Sequence, residues 1–293
     1  MSFAKVSSAQ SELLKARIVS VEVDLSQGLH AFSIVGLPDK AVEEARDRIS
    51  AAIKNTGFTS PKQKNQKVVV SLAPASLKKE GPAFDVPMAL AYLLAAGELR
   101  FEPRKKLFLG ELSLDGTVRE IAGVLPLVRK ARDEAFEEVY VPKGNTLEAA
   151  IIPDLRIFPV ENLGQLVNHL NDRRGFEKIP ILPAAPTEIN LNEAGFDFDL
   201  ADISGQETAK RGIEIAAAGG HNISLWGPPG TGKTMLARAL PSIIPPLSFE
   251  DILEVTSIHS VSGLAYEERP EFGQHFFLPG KHPREGVVII GHF

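Results

Sequence analysis

The chain opens on β-type patterning. Residues 3–35 read as strands, with Ile18 and Val21 set among polar residues in Ala16–Val23 and a second run over Leu29–Val35. Gly36-Leu37-Pro38-Asp39 breaks that pattern. Asp39 is a good N-cap, and Glu43 and Glu44 fall in the first turns, where carboxylates suit the positive end of a helix. Val42, Ala45, Ile49 and Ile53 then recur at helical spacing, and Asn55-Thr56-Gly57 marks the stop. Lys67–Leu72 predicts a short apolar strand. Met88–Ala96 is apolar on all sides and predicts a buried helix.

The same reading continues to about residue 173. It predicts a strand over Leu107–Leu114, a hairpin signal at Asp115-Gly116 before Thr117-Val118, and an amphipathic helix over Val124–Phe136. Strands over Glu138–Val141 and Leu155–Val160 follow, with a short helix near Leu163–Leu170. Pro180, Pro183 and Pro186 then punctuate a stretch that reads as a semi-rigid linker. Beyond it, Gly205–Ala218 is a strong helix former closed by Gly219-Gly220, and Asn222–Trp226 is a strand. A glycine-rich turn leads into a helix over Met235–Leu240, stopped by Pro241 or Pro245-Pro246. The expected organisation is a domain over 1–175, a Pro-rich linker over 176–190 and a second domain over 191–293.

Composition narrows the classes. The 293 residues are 44% hydrophobic and 24% charged, so each of about two domains can bury its own core. Aromatics make up only 7%, so those cores are aliphatic. With no Cys, disulfides and thiolate metal sites are excluded, and a reducing cytoplasm is the expected location. A net charge of −5 excludes a globally basic nucleic-acid binder but leaves room for a local basic patch. The opening MSFAKVSSAQSELL lacks a basic segment followed by an apolar one, and no apolar run reaches the ~18 residues of a membrane span. The expectation is a soluble chain with no membrane partner.

The turn after Trp226 carries chemistry. Gly227-Pro228-Pro229-Gly230-Thr231-Gly232-Lys233-Thr234 is a complete G-x4-G-K-T (Walker A) pattern, with an apolar strand before it and a helix after it. Glycines let successive N–H groups turn inward around an anion, and the helix that follows presents its unpaired N–H groups. Lys233 is placed to reach the β- and γ-phosphates of ATP, and Thr234 to hold Mg2+ through its hydroxyl. Hydrolysis needs a second acid on a neighbouring strand. No apolar run after Thr234 ends in one: Leu253-Glu254 has a helical context, and Val287–Ile290 is followed by Gly291-His292. Arg238, Arg269 and Arg284 read as surface arginines.

The string from Asp202 to Leu264, DISGQETAKRGIEIAAAGGHNISLWGPPGTGKT and onward, resembles the AAA+ module of the ComM/YifB, magnesium-chelatase-like family. SIVGLPDKAVEEARDRISAAIKNTGF and SLAPASLKKEGPAFDVPMALAYLLAAG agree with the family's amino-terminal part. The resemblance implies an α/β protein with two folds. The first is an α+β domain of the ribosomal-protein-S5-domain-2-like, Lon-like kind. The second is part of a P-loop AAA+ αβα domain. It further implies a homo-hexameric, ATP-driven motor on single-stranded or branched DNA, with branch-migrating helicase activity in natural transformation and recombination. From Pro270 the pattern departs: the family's Phe-Arg-x-Pro-His-His stands against Glu271–Phe276, and Pro283–Gly286 is similar to the segment that leads into the Walker B strand. The expectation is therefore the front portion of a motor, binding nucleotide weakly or not at all and unable to hydrolyse ATP alone.

The Lon likeness permits one sharp test. Lon-type peptidases carry a Ser after a Gly-Pro pair and a Lys on a later helix. Here Ala83 follows Gly81-Pro82, and Leu125 takes the place expected for the Lys. Alkyl side chains are neither nucleophiles nor bases, so no peptidase is expected. Lys62, Lys64, Lys67, Lys78 and Lys79 form a basic cluster able to neutralise DNA phosphates, with a solvated loop as the plainer explanation. His221 reads as a turn residue. His275, His282 and His292 lack metal spacing, so Mg2+ carried by the nucleotide is the only metal expected. A reading from a different class is a chelatase-type subunit that drives metal insertion by a partner protein.

Overall fold

The computed structural model describes residues 2–173, 176–188, 199–245, 248–263, 280–281 and 287–290. These divide into two units. The first holds the described residues up to Glu188 together with α8 (Phe249–Ser262) from Thr256 onward; the second holds the rest.

The first unit is built on a mixed seven-stranded sheet. Its strands are β1 (Phe3–Glu12), β2 (Lys15–Gln27), β3 (Ala31–Val35), β4 (Gln66–Ala73), β5 (Lys106–Phe108), β8 (Glu138–Pro142) and β9 (Arg156–Val160), in the spatial order β3-β4-β2-β1-β5-β8-β9. The β2 pairings to β1 and β4 are antiparallel; the other four are parallel. Val19, Val21 and Val23 of β2 and Val68, Val70 and Leu72 of β4 are fully buried at every second position, as a sheet with one face in the core requires. Helices α1 (Lys40–Asn55) and α2 (Asp85–Ala95) supply partners for that core. The α1 stripe of Val42, Ala45, Ile49 and Ile53 is wholly buried, each larger side chain contributing about 1.5–3 kcal/mol. Asp39 caps α1 by accepting from the Val42 N–H at 2.8 Å. Every residue of β8 is buried, as expected of a parallel strand covered on both faces.

The remaining elements of this unit are short. They are β6 (Glu111–Leu112) and β7 (Val118–Arg119), which pair as a hairpin, α3 (Val124–Asp133), α4 (Thr146–Ala149) and α5 (Leu163–Leu170). The strand predicted over Leu107–Leu114 is two strands. The backbone of Gly110 leaves the sheet to bond Ala83 O and the Val86 N–H, so pairing stops after Phe108. Helix α3 ends three residues before the predicted Phe136. Ala135 adopts φ 57°, and the Phe136 N–H closes onto Ala131 O.

The proline-rich stretch is held to the first unit. Ile181 is buried and its N–H donates to His169 Nδ1 at 2.9 Å; the Ala184 N–H donates to Ile157 O of the edge strand β9 at 2.8 Å; the Thr187 N–H reaches Ala150 O at 3.0 Å. Residues 181–187 therefore cover one edge of the sheet. The strap ends near Glu188, within the stretch read as linker.

The second unit contains α6 (Glu207–Gly219), β10 (Ile223–Trp226), α7 (Lys233–Ala239), the first turns of α8, β11 (Gly280–Lys281) and β12 (Val287–Ile290). Strand β12 runs antiparallel to both β10 and β11. Its core gathers Leu200, Ile203, Ile213, Ala217, Leu225, Leu236 and Leu240. Helix α6 starts two residues later than predicted, because Gly205 and Gln206 hold φ of 73° and 60°. Its C-terminus closes with the His221 N–H on Ala216 O at 2.9 Å, so His221 serves as a turn residue as expected.

Candidate functional site

Strand β10 delivers the chain to Gly227, and α7 receives it at Lys233, which is the strand–loop–helix context a phosphate-binding loop requires. All eight predicted residues, Gly227, Pro228, Pro229, Gly230, Thr231, Gly232, Lys233 and Thr234, are brought together in this turn. Gly230 and Gly232 adopt φ of 81° and 82°, a conformation that other residues reach only with strain. No atom outside the immediate backbone lies within 4 Å of where a Cβ would project from either glycine. A phosphate can therefore approach the backbone closely at both positions.

The loop is braced from within. Lys233 Nζ donates to Gly227 O at 2.9 Å and Pro228 O at 2.7 Å, and it stands 3.4 Å from Thr231 Oγ1. Thr231 Oγ1 donates to Pro228 O at 3.0 Å. Gln206 Nε2 donates to Thr231 O at 3.2 Å across 25 residues of sequence. Thr234 is exposed at the start of α7. One ammonium, one exposed hydroxyl and an open glycine backbone form a donor set that fits a nucleotide triphosphate with its Mg2+. Gln206 was absent from the sequence-based site; Gly205-Gln206 reads as an ordinary helix start, and nothing in the pattern ties it to Thr231.

The basic cluster is not a bare patch. Lys62 pairs with Asp47 at 2.8 Å, holding the Asp47 carboxyl below its ordinary range. Lys64 pairs with Glu98, and Lys78 with Glu80 at 2.7 Å. Lys79 corrects the expectation: its side chain is fully buried, and its ammonium donates to Pro74 O and to Leu77 O at 2.7 Å. Burial pushes its pKa down and leaves it no face for a phosphate. Lys67 is exposed and has no ion pair among the described residues. The cluster thus offers less free positive charge than five lysines suggest.

Ala83 lines a cavity of about 360 Å3 together with Gln10, Ser11, Glu80, Glu111 and Glu120. Leu125 is fully buried at the start of α3. No metal-binding group of His, Asp or Glu occurs among the described residues, and no helix there is long and apolar enough to cross a membrane. Glu254 lies within the helix α8, and β12 carries no acid. Arg238 is exposed on α7, whereas Arg269, Arg284, His275, His282 and His292 lie outside the described residues.

A deeper polar network lies in the first unit. The register Lys106↔Glu138↔Arg156 and Phe108↔Tyr140↔Phe158 builds two ladders on one face of the parallel strands. The rings of Phe108, Tyr140 and Phe158 stack at 4.8 Å spacings. Glu138 receives Lys106 and, at 2.7 Å, Arg156, and these hold its carboxyl low despite burial. Tyr140 Oη donates to Glu138 at 2.8 Å, and His169 Nε2 stands 3.2 Å from the same hydroxyl. Because His169 Nδ1 accepts from Ile181, its proton sits on Nε2 and points to Tyr140. Burial lowers the His169 pKa, which matches a neutral ring.

Two family models match the chain: "Subunit ChlI of Mg-chelatase" over residues 21–145, and "Magnesium chelatase, subunit ChlI" over residues 199–292. An uncharacterised protein of Mycobacterium tuberculosis is 39% identical over 280 residues, 95% of this chain and 54% of that protein. The competence protein ComM of Haemophilus influenzae is 40% identical over 263 residues, 89% of this chain and 50% of ComM. YifB of Escherichia coli is 37% identical over 274 residues, 93% of this chain and 52% of YifB. The chain thus spans about half the length of the curated relatives it matches.

Proposed function

The chain belongs to the ComM/YifB family of magnesium-chelatase-like AAA+ proteins, and from that premise we propose that it binds ATP with Mg2+ in the loop Gly227–Thr234 and takes part in ATP-driven work on DNA. The observation that carries the nucleotide reading is the strand–loop–helix turn with Gly230 and Gly232 open and Lys233 at its centre. Lys233 would hold the terminal phosphates, Thr234 the Mg2+, and the glycine backbone the bridging oxygens. The nucleotide supplies the phosphoryl-transfer energy; these residues bind and orient it.

The DNA reading rests on the family and on kinship with a competence protein. A homo-hexamer would multiply the weak contribution of Lys62, Lys64, Lys67 and Lys78, none of which needs to be strong alone. The test is fluorescence anisotropy on labelled single-stranded and four-way-junction DNA, with and without ATP·Mg2+. Binding that tightens with ATP·Mg2+ and weakens steeply with salt is expected. No binding at low salt under either condition removes DNA from the account.

A second reading has its own support, since both family models bear the description of a chelatase subunit. In that reading the same loop binds ATP, but the motor acts on a partner protein that inserts a metal. Nucleotide binding without any DNA response favours it.

A further inference from the structure

We propose that Gln206 is a positioning residue for triphosphate binding, holding the Thr231–Gly232 peptide in the orientation that keeps the Gly232 N–H available to phosphate. This rests on the nucleotide reading of the loop and deepens it.

Three observations carry the inference. Gln206 sits at the N-cap of α6 but makes no capping bond with its side chain, and its backbone is left-handed at φ 60°, ψ 34°. A cap position ordinarily takes an extended residue whose side chain serves its own helix. Gln206 gives up both features, and its amide reaches Thr231 O at 3.2 Å instead. The preceding Gly205, at φ 73°, completes the turn that aims the side chain at the loop.

The consequence follows from peptide geometry. The Thr231–Gly232 bond is trans, since the single cis bond recorded among the described residues is Ala73–Pro74. In a trans peptide the C=O and the next N–H point in opposite directions. Fixing Thr231 O toward Gln206 therefore aims the Gly232 N–H away from it. Gly232 has the freedom to let this peptide flip, because at φ 82° it lies where glycine alone moves without cost. A flipped peptide would present a carbonyl to the anion in place of a donor. Thr231 Oγ1 braces the loop through Pro228 O and leaves the Thr231 carbonyl to Gln206 alone among the contacts recorded for it.

The role concerns phosphate donors and not the base, so the probe is inorganic tripolyphosphate beside ATP, each titrated calorimetrically into the whole chain. Gln206→Ala is expected to weaken both ligands equally, by about five- to tenfold, the worth of one hydrogen bond. Gln206→Gly relieves the left-handed backbone and deletes the amide; it is expected to weaken both ligands as much as Gln206→Ala. Gln206→Lys keeps a donor of similar reach and is expected to restore most of the affinity. Affinities unchanged in Gln206→Ala, or a loss confined to ATP, overturn the positioning role. Affinity recovered in Gln206→Gly overturns it as well, because backbone strain would then account for the effect. Absence of binding by the unaltered chain to either ligand overturns the nucleotide reading, and this inference with it.

Discussion

Removing the guanidinium of Arg48 should cost the first unit several kcal/mol at neutral pH and much less in acid. Asp85, at the start of α2, has a fully buried side chain; Arg48 meets it with Nε at 2.7 Å and Nη2 at 3.0 Å, while the Leu112 N–H donates at 3.1 Å. Burial pushes Asp85 from 3.8 up to about 6, with Arg48 pulling the other way. That rise of roughly 2 pKa units corresponds to about 3 kcal/mol of strain on the ionised form at pH 7, even with the guanidinium in place. Because the folded pKa lies above the unfolded one, this contribution favours the fold below about pH 4 and is lost as pH rises through about 6. Taking away one partner of such a pair leaves a buried charge uncompensated, typically about 3–5 kcal/mol. Arg48→Met keeps the apolar stem and isolates the charge effect. For a unit of this size the loss lowers the melting temperature by about 10 °C. Near-UV circular dichroism reads this unit, since Tyr92 and Tyr140 are both buried in it. Adding Asp85→Asn to Arg48→Met should return part of the stability, and the Arg48→Met penalty should shrink below pH 5, where a protonated Asp85 no longer needs the guanidinium. A loss below about 1 kcal/mol at pH 7, or one that does not change with pH, would refute the reasoning.

Two further outcomes follow from the first unit. Gly36→Ala should destabilise by more than about 2 kcal/mol in denaturant titration, because its Cβ would stand 2.2 Å from Leu72 O at φ 109°. Acidification should release the strap over residues 181–187. His169 is neutral at pH 7, and its pKa is lowered by burial from 6.5, opposed by Glu138 and aided by Lys178 and Lys106. The stability it contributes is present above pH 6.5 and is lost as pH falls through the folded value, because a protonated Nδ1 cannot accept from Ile181. Amide exchange at Ile181, corrected for its intrinsic pH dependence, should accelerate between pH 7 and 5, and His169→Phe should abolish that response.

Local signals carried most of the element reading. The Asp39 cap, the stripe from Val42 to Ile53 and the glycine turn before Lys233 each act within a few residues of sequence, and each appears where the pattern places it. What stayed hidden depends on distant partners. Pairing register decides that Lys106, Glu138 and Arg156 share a ladder, and no window of sequence shows that Gly110 bonds to Ala83 rather than to a strand. The prolines of 180–186 read as a semi-rigid linker, but the bonds from Ile181 to His169 of α5 and from Ala184 to Ile157 of β9 belong to the fold. Lys79 misled for the same reason. Its charge looks like that of its neighbours, and only the turn from Pro74 to Leu77 provides carbonyls that let it be buried. The glycine turn Gly227–Thr234 between a strand and a helix is legible residue by residue, whereas its bond from Gln206 is not.

The central claim is that Gly227–Thr234 is a nucleotide site built around Lys233. The chain contains one tryptophan, Trp226, which is 85% exposed and directly precedes Gly227, so its fluorescence reports on the loop. Titration with ATP·Mg2+ should give a saturable change in that fluorescence, and Lys233→Ala should weaken the affinity at least tenfold, roughly 1.4 kcal/mol, with no change in folding. Equal affinities in the two proteins, or no saturable response in either, would contradict the account.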